Sequence, residues 1–230
     1  MSELTRYDEE TNTRISTARI IPLDSVANCS GLEFCPIPTA EPPNEDVPMK
    51  LWRKLDEPLV AGNAYHDLIA VDHVPALFEI IGQVSRRDCY LTTLGNEKFS
   101  HSAPEGRTLI SCYIESRPTN KSRIQWGRYH RALMKMIEYT GYPSINRKGL
   151  FLIDKETLLP RIEVYTSSHI GREIEETPML DLNGNRSLPR SLEEVPFDQP
   201  FRVLFSFCYS PPKATEEGVV YAELEEIMPV

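Results

Sequence analysis

"RTLISCYIESRPTNKSRIQWGRYHRALMKMIEYTGYP", residues 107–143, changes its hydrophobic period halfway along. In its first part Ile110, Cys112 and Ile114 alternate with Leu109, Ser111, Tyr113 and Glu115. A period of two predicts a strand, with the first set turned inward. Pro118 ends it, and from Asn120 the period becomes helical. Asn120 is a suitable cap, and Gly141 followed by Pro143 is a stop signal. At about 100° per residue, Trp126, Tyr129, Leu133, Met136 and Ile137 fall within an arc of about 100°, the expected core stripe. Lys121, Arg128, Arg131 and Lys135 gather within about 80° on the roughly opposite side. Gly127 weakens the helix by about 1 kcal/mol relative to Ala, which allows a late start or a kink.

On the C-terminal side, "GLFLID" (149–154) and "RIEVYTSS" (161–168) read as adjacent antiparallel strands joined by "KETLLP". "DLNGNRSLPRSLEEVPFDQP" (181–200) is a long irregular connection. "FRVLFSFCYS" (201–210) is a further strand, and "VVYAELEEI" (219–227) a final one. On the N-terminal side, "DLIAV" (67–71) suits a buried strand, and "PALFEIIGQVS" (75–85) a short helix with Pro75 in its first turn. "CYLTTLG" (89–95) reads as a strand or hairpin arm. Residues 1–48 hold six prolines and many charges and read as a flexible acidic segment, in which "RIIPLD" (19–24) docks as a short strand. The expectation is an α+β fold. A mostly antiparallel sheet packs against one long amphipathic helix, with short extra helices, in a single domain over 49–230.

The chain of 230 residues is 40% hydrophobic and 26% charged, enough to bury a sizeable core. No apolar run reaches membrane-spanning length, and the opening "MSELTRYDEETNTR" lacks the features of a signal peptide, so a cytosolic start is expected. Cys29, Cys35, Cys89, Cys112 and Cys208 form no CxxC pair and read as free thiols. The net charge of -9 conceals a division. Residues 107–148 hold nine basic and two acidic side chains, whereas 1–106 and 149–230 are each net acidic by eight. Fields are screened beyond about 10 Å, so the local balance decides what each surface attracts.

Three groups of residues invite chemistry. His66, Asp67, Asp72 and His73 offer metal-ligand atoms, but on a strand the two histidines face opposite ways, and polar strand ends are the plainer reading. Cys112 with His130 or His169 has the makings of a nucleophile pair, yet Cys112 lies on the apolar side of its strand. No phosphate-binding loop, dinucleotide fingerprint or hydrolase motif occurs, and no cofactor or metal is implied. The third group is basic: Lys121, Arg128, Arg131 and Lys135, reinforced by Arg117, Arg123, Arg147 and Lys148. It is either a solvated helix face or a surface for nucleic-acid phosphates, anionic lipid, an acidic protein tail or the chain's own acidic segments.

A proline-rich N-terminal segment, a strand ending in "ESRP", an amphipathic helix, two strands, a long loop and "PFDQPFRVLFSFCYS" follow one another. This order resembles the matrix proteins of rhabdoviruses over residues 107–210. The resemblance implies late-domain motifs of P-T/S-A-P or P-P-x-Y type in the N-terminal region. Pro38, Thr39 and Ala40 precede Glu41, and Pro42 and Pro43 precede Asn44-Glu45, so both patterns are near misses. It further implies a non-enzymatic structural protein of host cytoplasm, peripheral membrane and virion. Such a protein self-associates and links nucleoprotein or nucleic acid to an anionic membrane surface, with host scission-machinery proteins as partners in budding. Family members carry a lysine-rich N-terminus where residues 1–48 here are acidic, which shifts any membrane contact to the helix face. The alternatives are a nucleic-acid-binding or host-interaction accessory protein using the same basic face, and an enzyme built around His66, Asp67, Asp72 and His73. A single sheet on one long helix without a deep polar pocket would favour the matrix reading over the enzyme.

Overall fold

The fold was established from a computed structural model. It describes residues 2–8, 13–29, 32–38, 65–71, 74–92, 107–139, 145–146, 150–169, 189–210 and 218–230, and the statements below concern these. The strands are β1 (Ser2–Asp8), β2 (Thr13–Pro22), β3 (Leu32–Pro38), β4 (Tyr65–Val71), β5 (Val74–Val84) and β6 (Arg107–Glu115). Helix α1 (Asn120–Tyr139) follows, then β7 (Ile145–Asn146), β8 (Phe151–Ile153), β9 (Pro160–His169), β10 (Phe201–Ser210) and β11 (Gly218–Pro229). Short 3-10 turns cover Leu23–Asn28 and Leu192–Glu194.

The pairing pattern defines the architecture. β5 pairs antiparallel with β6 at Gln83–Glu115 and Val84–Ile114, and β6 pairs antiparallel with β9 along its whole length. β9 lies parallel to β11 through Val164–Ala222 and Tyr165–Glu223. β11 pairs antiparallel with β10, and β10 returns to β5 from Phe201–Gly82 to Ser206–Leu77. The five strands therefore close a ring, β5-β6-β9-β11-β10 and back to β5. In chain order the first strand sits between the second and fourth, and the third lies parallel to the fifth. That is the connectivity of the OB barrel. β2 adds to β5 in parallel, β1 adds to β2, and the β3–β4 hairpin continues from β10.

Alternation along each strand fills the barrel. Phe78 and Ile80 of β5, Ile110, Cys112 and Ile114 of β6, and Ile162 and Val164 of β9 are all buried. So are Phe201, Val203, Phe205 and Phe207 of β10. On β11 the inward residues Val220, Ala222 and Leu224 are followed by Ile227, a change of parity. A bulge causes it: Leu204 is opposite Glu226 and Phe205 opposite Leu224, leaving Glu225 as the extra residue.

Helix α1 closes a gap in the barrel wall. One edge of β5 pairs with β2 up to Glu79 and with β6 from Gln83, which leaves Ile81 between the two partners. The Trp126 indole Nε1–H donates to the Ile81 carbonyl at 3.2 Å, and the Ile81 N–H donates to the Tyr129 hydroxyl at 3.3 Å. Gln125 Nε2 also donates to that hydroxyl, at 2.8 Å. Ile81 itself is exposed and these bonds are part-buried, but two aromatic side chains do here for its backbone what a neighbouring strand does elsewhere. Close approach requires Gly82: a Cβ there would lie 2.6 Å from Ile114 Cγ2 and 2.8 Å from both Glu115 O and Trp126 Cζ2. The helix is capped by Thr119, whose Oγ1 accepts from Ser122 N at 3.2 Å, one residue before the expected cap. It runs unbroken through Gly127.

Several expectations are corrected. The fold is not a mostly antiparallel sheet lying on a long helix with extra helices. It is predominantly strands in a mixed, closed sheet, with one α-helix among the described residues. "PALFEIIGQVS" is not a helix but the central strand β5. The reason is burial on both faces: Leu77, on the outer side, packs with Ile20 of β2 and Leu204 of β10 in a second small cluster. Alternation is then lost, and the run resembles a buried helix. "CYLTTLG" follows a turn at 87–88 and does not begin as a strand, and its residues 93–95 lie outside the described ones. Asp88 takes φ 51°, Cys89 and Leu91 are buried, and Tyr90 N donates to Ser111 O at 2.7 Å. Within residues 1–48, Ile20, Ile21 and Leu23 of the "RIIPLD" stretch, and Val26 after it, are core residues, and residues 39–48 lie outside the described ones.

Candidate functional site

The residues that alternate with the barrel core point outward. On β6, β9 and β11 they form a polar and aromatic strip: Tyr113, Arg161, Glu163, Tyr165, Tyr221 and Glu223, all part-exposed. Tyr113 lies opposite Glu163, and Ser111 opposite Tyr165. Tyr221 precedes Glu223 by two residues, which places it level with Glu163 on the far side of β9. The rings of Tyr165 and Tyr221 stack at 5.3 Å with an interplanar angle of 23°. Aromatic surface thus spans three adjacent strands, a width of about 10 Å.

At one end of the strip the Arg161 guanidinium covers the Tyr113 ring, 4.1 Å from its centroid. Arg161 is held by Asp154, Nη1 to Oδ2 at 3.0 Å. Asp154 is itself fixed by its own turn: Oδ1 accepts from Thr157 N at 2.8 Å and Glu156 N at 2.9 Å. These backbone bonds hold its carboxyl down at about 2. The turn ends in Leu158, at φ 54°. Burial, then the Glu163 charge, push the Tyr113 hydroxyl up to about 12. Burial also raises Glu163, against the lowering effect of its bond with Tyr113. Gln83 Nε2 donates to Glu115 Oε1 at 2.9 Å, and so ties β5 to this edge. The strip thus combines a stacked tyrosine pair with a tyrosine ring under a guanidinium, and its carboxylates offer nothing to an anion.

The basic set divides. Arg117, Lys121, Arg123, Arg128, Arg131 and Lys135 are exposed, and Trp126, Tyr129, Leu133, Met136 and Ile137 are buried beneath them, as the helical period requires. Arg117, Lys121, Arg123, Arg128 and Arg131 have no ion-pair partner among the described residues. Arg147 and Lys148 lie outside the described residues.

The other expected sites fare differently. Cys112 is sealed in the barrel, and desolvation raises its thiol well above the ordinary value, the opposite of what a nucleophile needs. His130 is exposed and stacks on Phe151 at 4.5 Å. The backbone places His169 opposite Arg107, at the far end of the β6–β9 ladder from Arg161. His66 and Asp67 lie on β4, opposite Ile37 and Pro36, but their side chains, with Asp72 and His73, are outside the described residues. Pro38 ends β3, and Thr39, Ala40, Pro42 and Pro43 are likewise outside. Among the described residues no group of three or more His, Cys, Asp or Glu side chains is arranged for a metal, and no helix is long and apolar enough to cross a membrane. The aromatic strip was missed by sequence reading. Its signal was a tyrosine at an outward strand position three times over, in "CYI", "VYT" and "VYA".

No protein-family model matches the sequence, and no curated relative does. Among solved structures, the chain is similar to gp2.5, a single-stranded DNA-binding protein encoded by bacteriophage T7, at 13% identity and TM-score 0.38 over 67% of this chain and 91% of that one. It is also similar to the single-stranded DNA-binding protein from bacteriophage Enc34 in complex with ssDNA, at 11% identity and TM-score 0.45, over 76% and 92% of the two chains. For the same Enc34 protein without DNA the values are 11%, 0.44, 75% and 86%. These are not matrix proteins, and the resemblance to rhabdovirus matrix proteins is corrected, together with the structural, virion and budding role it implied. Element order along the chain was matched there, but order leaves the pairing of β5 with β10 undetermined, and that pairing makes a barrel rather than a sheet on a helix.

Proposed function

We propose that this protein binds single-stranded nucleic acid on the outer face of β6, β9 and β11. One observation carries the reading: Tyr165 and Tyr221 stack side by side on the outside of a closed OB-type barrel, next to the Tyr113–Arg161 pair. OB barrels bind oligonucleotides across the face of their second and third strands, which are β6 and β9 here. Single-stranded binders place bases on aromatic rings because every base has a π-face, and such stacking is worth about 1–3 kcal/mol per base. Duplex, whose bases are already stacked on one another, gains nothing from such a surface. The fixed positions of Tyr113 and Arg161 lower the entropic cost of ordering the strip when a base arrives.

Fluorescence anisotropy with labelled oligothymidine and oligouridine tests this. Tyr165→Ala and Tyr221→Ala should each weaken binding by about 1–3 kcal/mol. Unlabelled duplex should compete poorly. Parent-like affinity in both variants, or equal competition by duplex, would overturn the proposal.

A further inference from the structure

Among the described residues, the aromatic strip carries no cation free of a partner. Its one described cation, Arg161, is already committed to Asp154 and to the Tyr113 ring, and Glu163 and Glu223 share the surface. The whole chain is net -9. A polyphosphate strand approaching this face therefore meets repulsion unless its backbone is neutralised nearby. The cations without an ion-pair partner among the described residues lie just beyond the end of β6, on Arg117 and along α1. Arg117 follows Tyr113 by four residues, so their Cα atoms are at most about 14 Å apart. From there Lys121, Arg128 and Arg131 continue over the exposed side of the helix.

We infer that the basic face of α1 is a second segment of the nucleic-acid path, which takes the phosphate backbone of a strand whose bases stack on β6, β9 and β11. This rests on the proposed single-strand binding and adds a division of labour to it. The strands hold bases, and the helix holds phosphates of the nucleotides that run past the barrel. Charge complementarity selects the occupant: five cations with no ion-pair partner among the described residues, and with no carboxylate interleaved in sequence, match a repeating anion.

Two probe lengths test the inference. One is an oligothymidine of about eight nucleotides, within the roughly 4–16 that a single OB barrel covers, and the other has about thirty. In Arg128→Glu/Arg131→Glu, and in the milder Arg128→Gln/Arg131→Gln, the long probe should bind at least about tenfold more weakly. With two fewer phosphates neutralised, the slope of log affinity against log salt should shrink by about 1.4 for the neutral variant. The short probe should bind as to the parent. An unchanged long-probe affinity and slope would overturn the inference while leaving single-strand binding intact. Equal weakening of both lengths would also overturn it, since the charges would then act on the whole surface rather than on an extension. If the parent binds neither probe, single-strand binding and this path both fall. A parent that sediments as an oligomer without nucleic acid, and becomes monomeric in the reversed variant, would reassign the face to contact between copies of the chain.

Discussion

The indole of Trp126 donates its N–H to the carbonyl of Ile81 at 3.2 Å and thereby pins helix α1 to the barrel wall. The Tyr129 hydroxyl takes the N–H of the same residue. Tyr129→Phe keeps the ring but removes the acceptor of the Ile81 N–H, a loss of about 0.5–1.5 kcal/mol for this part-buried bond. Trp126→Ala removes the bond and a fully buried indole together and should cost about 3–5 kcal/mol. Urea unfolding of the two variants should rank them in that order. The inverse order would mean that the barrel wall does not depend on this plug. Burial also pushes the Tyr129 hydroxyl up to about 12 from its ordinary 10, so the folded state keeps a proton that the unfolded chain has lost. Stability should therefore fall as pH rises from 10 toward 12, and less so in Tyr129→Phe.

Two glycines should respond oppositely to alanine. At Gly82 a Cβ meets the Glu115 carbonyl and the Trp126 ring at 2.8 Å, and backbone cannot move aside. Gly82→Ala should lower stability by about 1–3 kcal/mol. At Gly127 nothing lies within 4 Å of the added carbon, and the helix is continuous, so Gly127→Ala should raise stability by up to about 1 kcal/mol. Thermal melts of the pair check both signs.

Asp154 sets an acid limit. Its folded carboxyl is held at about 2 by the N–H groups of Thr157 and Glu156, against an ordinary 3.8. A depressed folded value stabilises the native state above the unfolded pKa, and the contribution is lost as pH falls through about 4 toward 2. Asp154→Asn should be less stable at neutral pH and show a shallower loss over that window. Chemical denaturation at pH 6, 4 and 3 makes the comparison. A parent curve no steeper than the variant's would remove Asp154 from the account.

Leu23 and Val26 belong to the core although they come from the N-terminal segment. Leu23→Ala should cost about 2–5 kcal/mol, the usual range for a buried leucine. Removing residues 1–28 should leave a chain that fails to melt cooperatively. A truncated protein with parent-like stability would show that the fold does not depend on residues 1–28.

Most elements were legible because the outward positions of each are largely polar. β6, β9, β10 and β11 alternate, and α1 carries its apolar residues on one arc, so the period of each is visible. β5 was not, because Phe78 looks into the barrel while Leu77 is covered by Ile20 and Leu204 on the other side. The barrel itself could not be read, since it depends on Phe201 finding Gly82, and neither residue bears a mark of the other. The cations of α1 stood out because charge is visible in composition. The tyrosine strip did not, because its members come from three separate strands and are neighbours only once the sheet has formed.

That dispersal governs when the protein can work. Tyr113, Tyr165 and Tyr221 lie more than a hundred residues apart from first to last, and the ring closes through residues 77–82 and 201–206. Pairings of such long sequence separation are slow to form, because loop-closure entropy opposes them before the pairing offsets it. The hairpins β8–β9 and β10–β11 are local and can precede them. On the ribosome, β11 emerges after β6, α1 and β9. A nascent chain therefore has its cationic helix well before β11 joins β9 and completes the tyrosine strip.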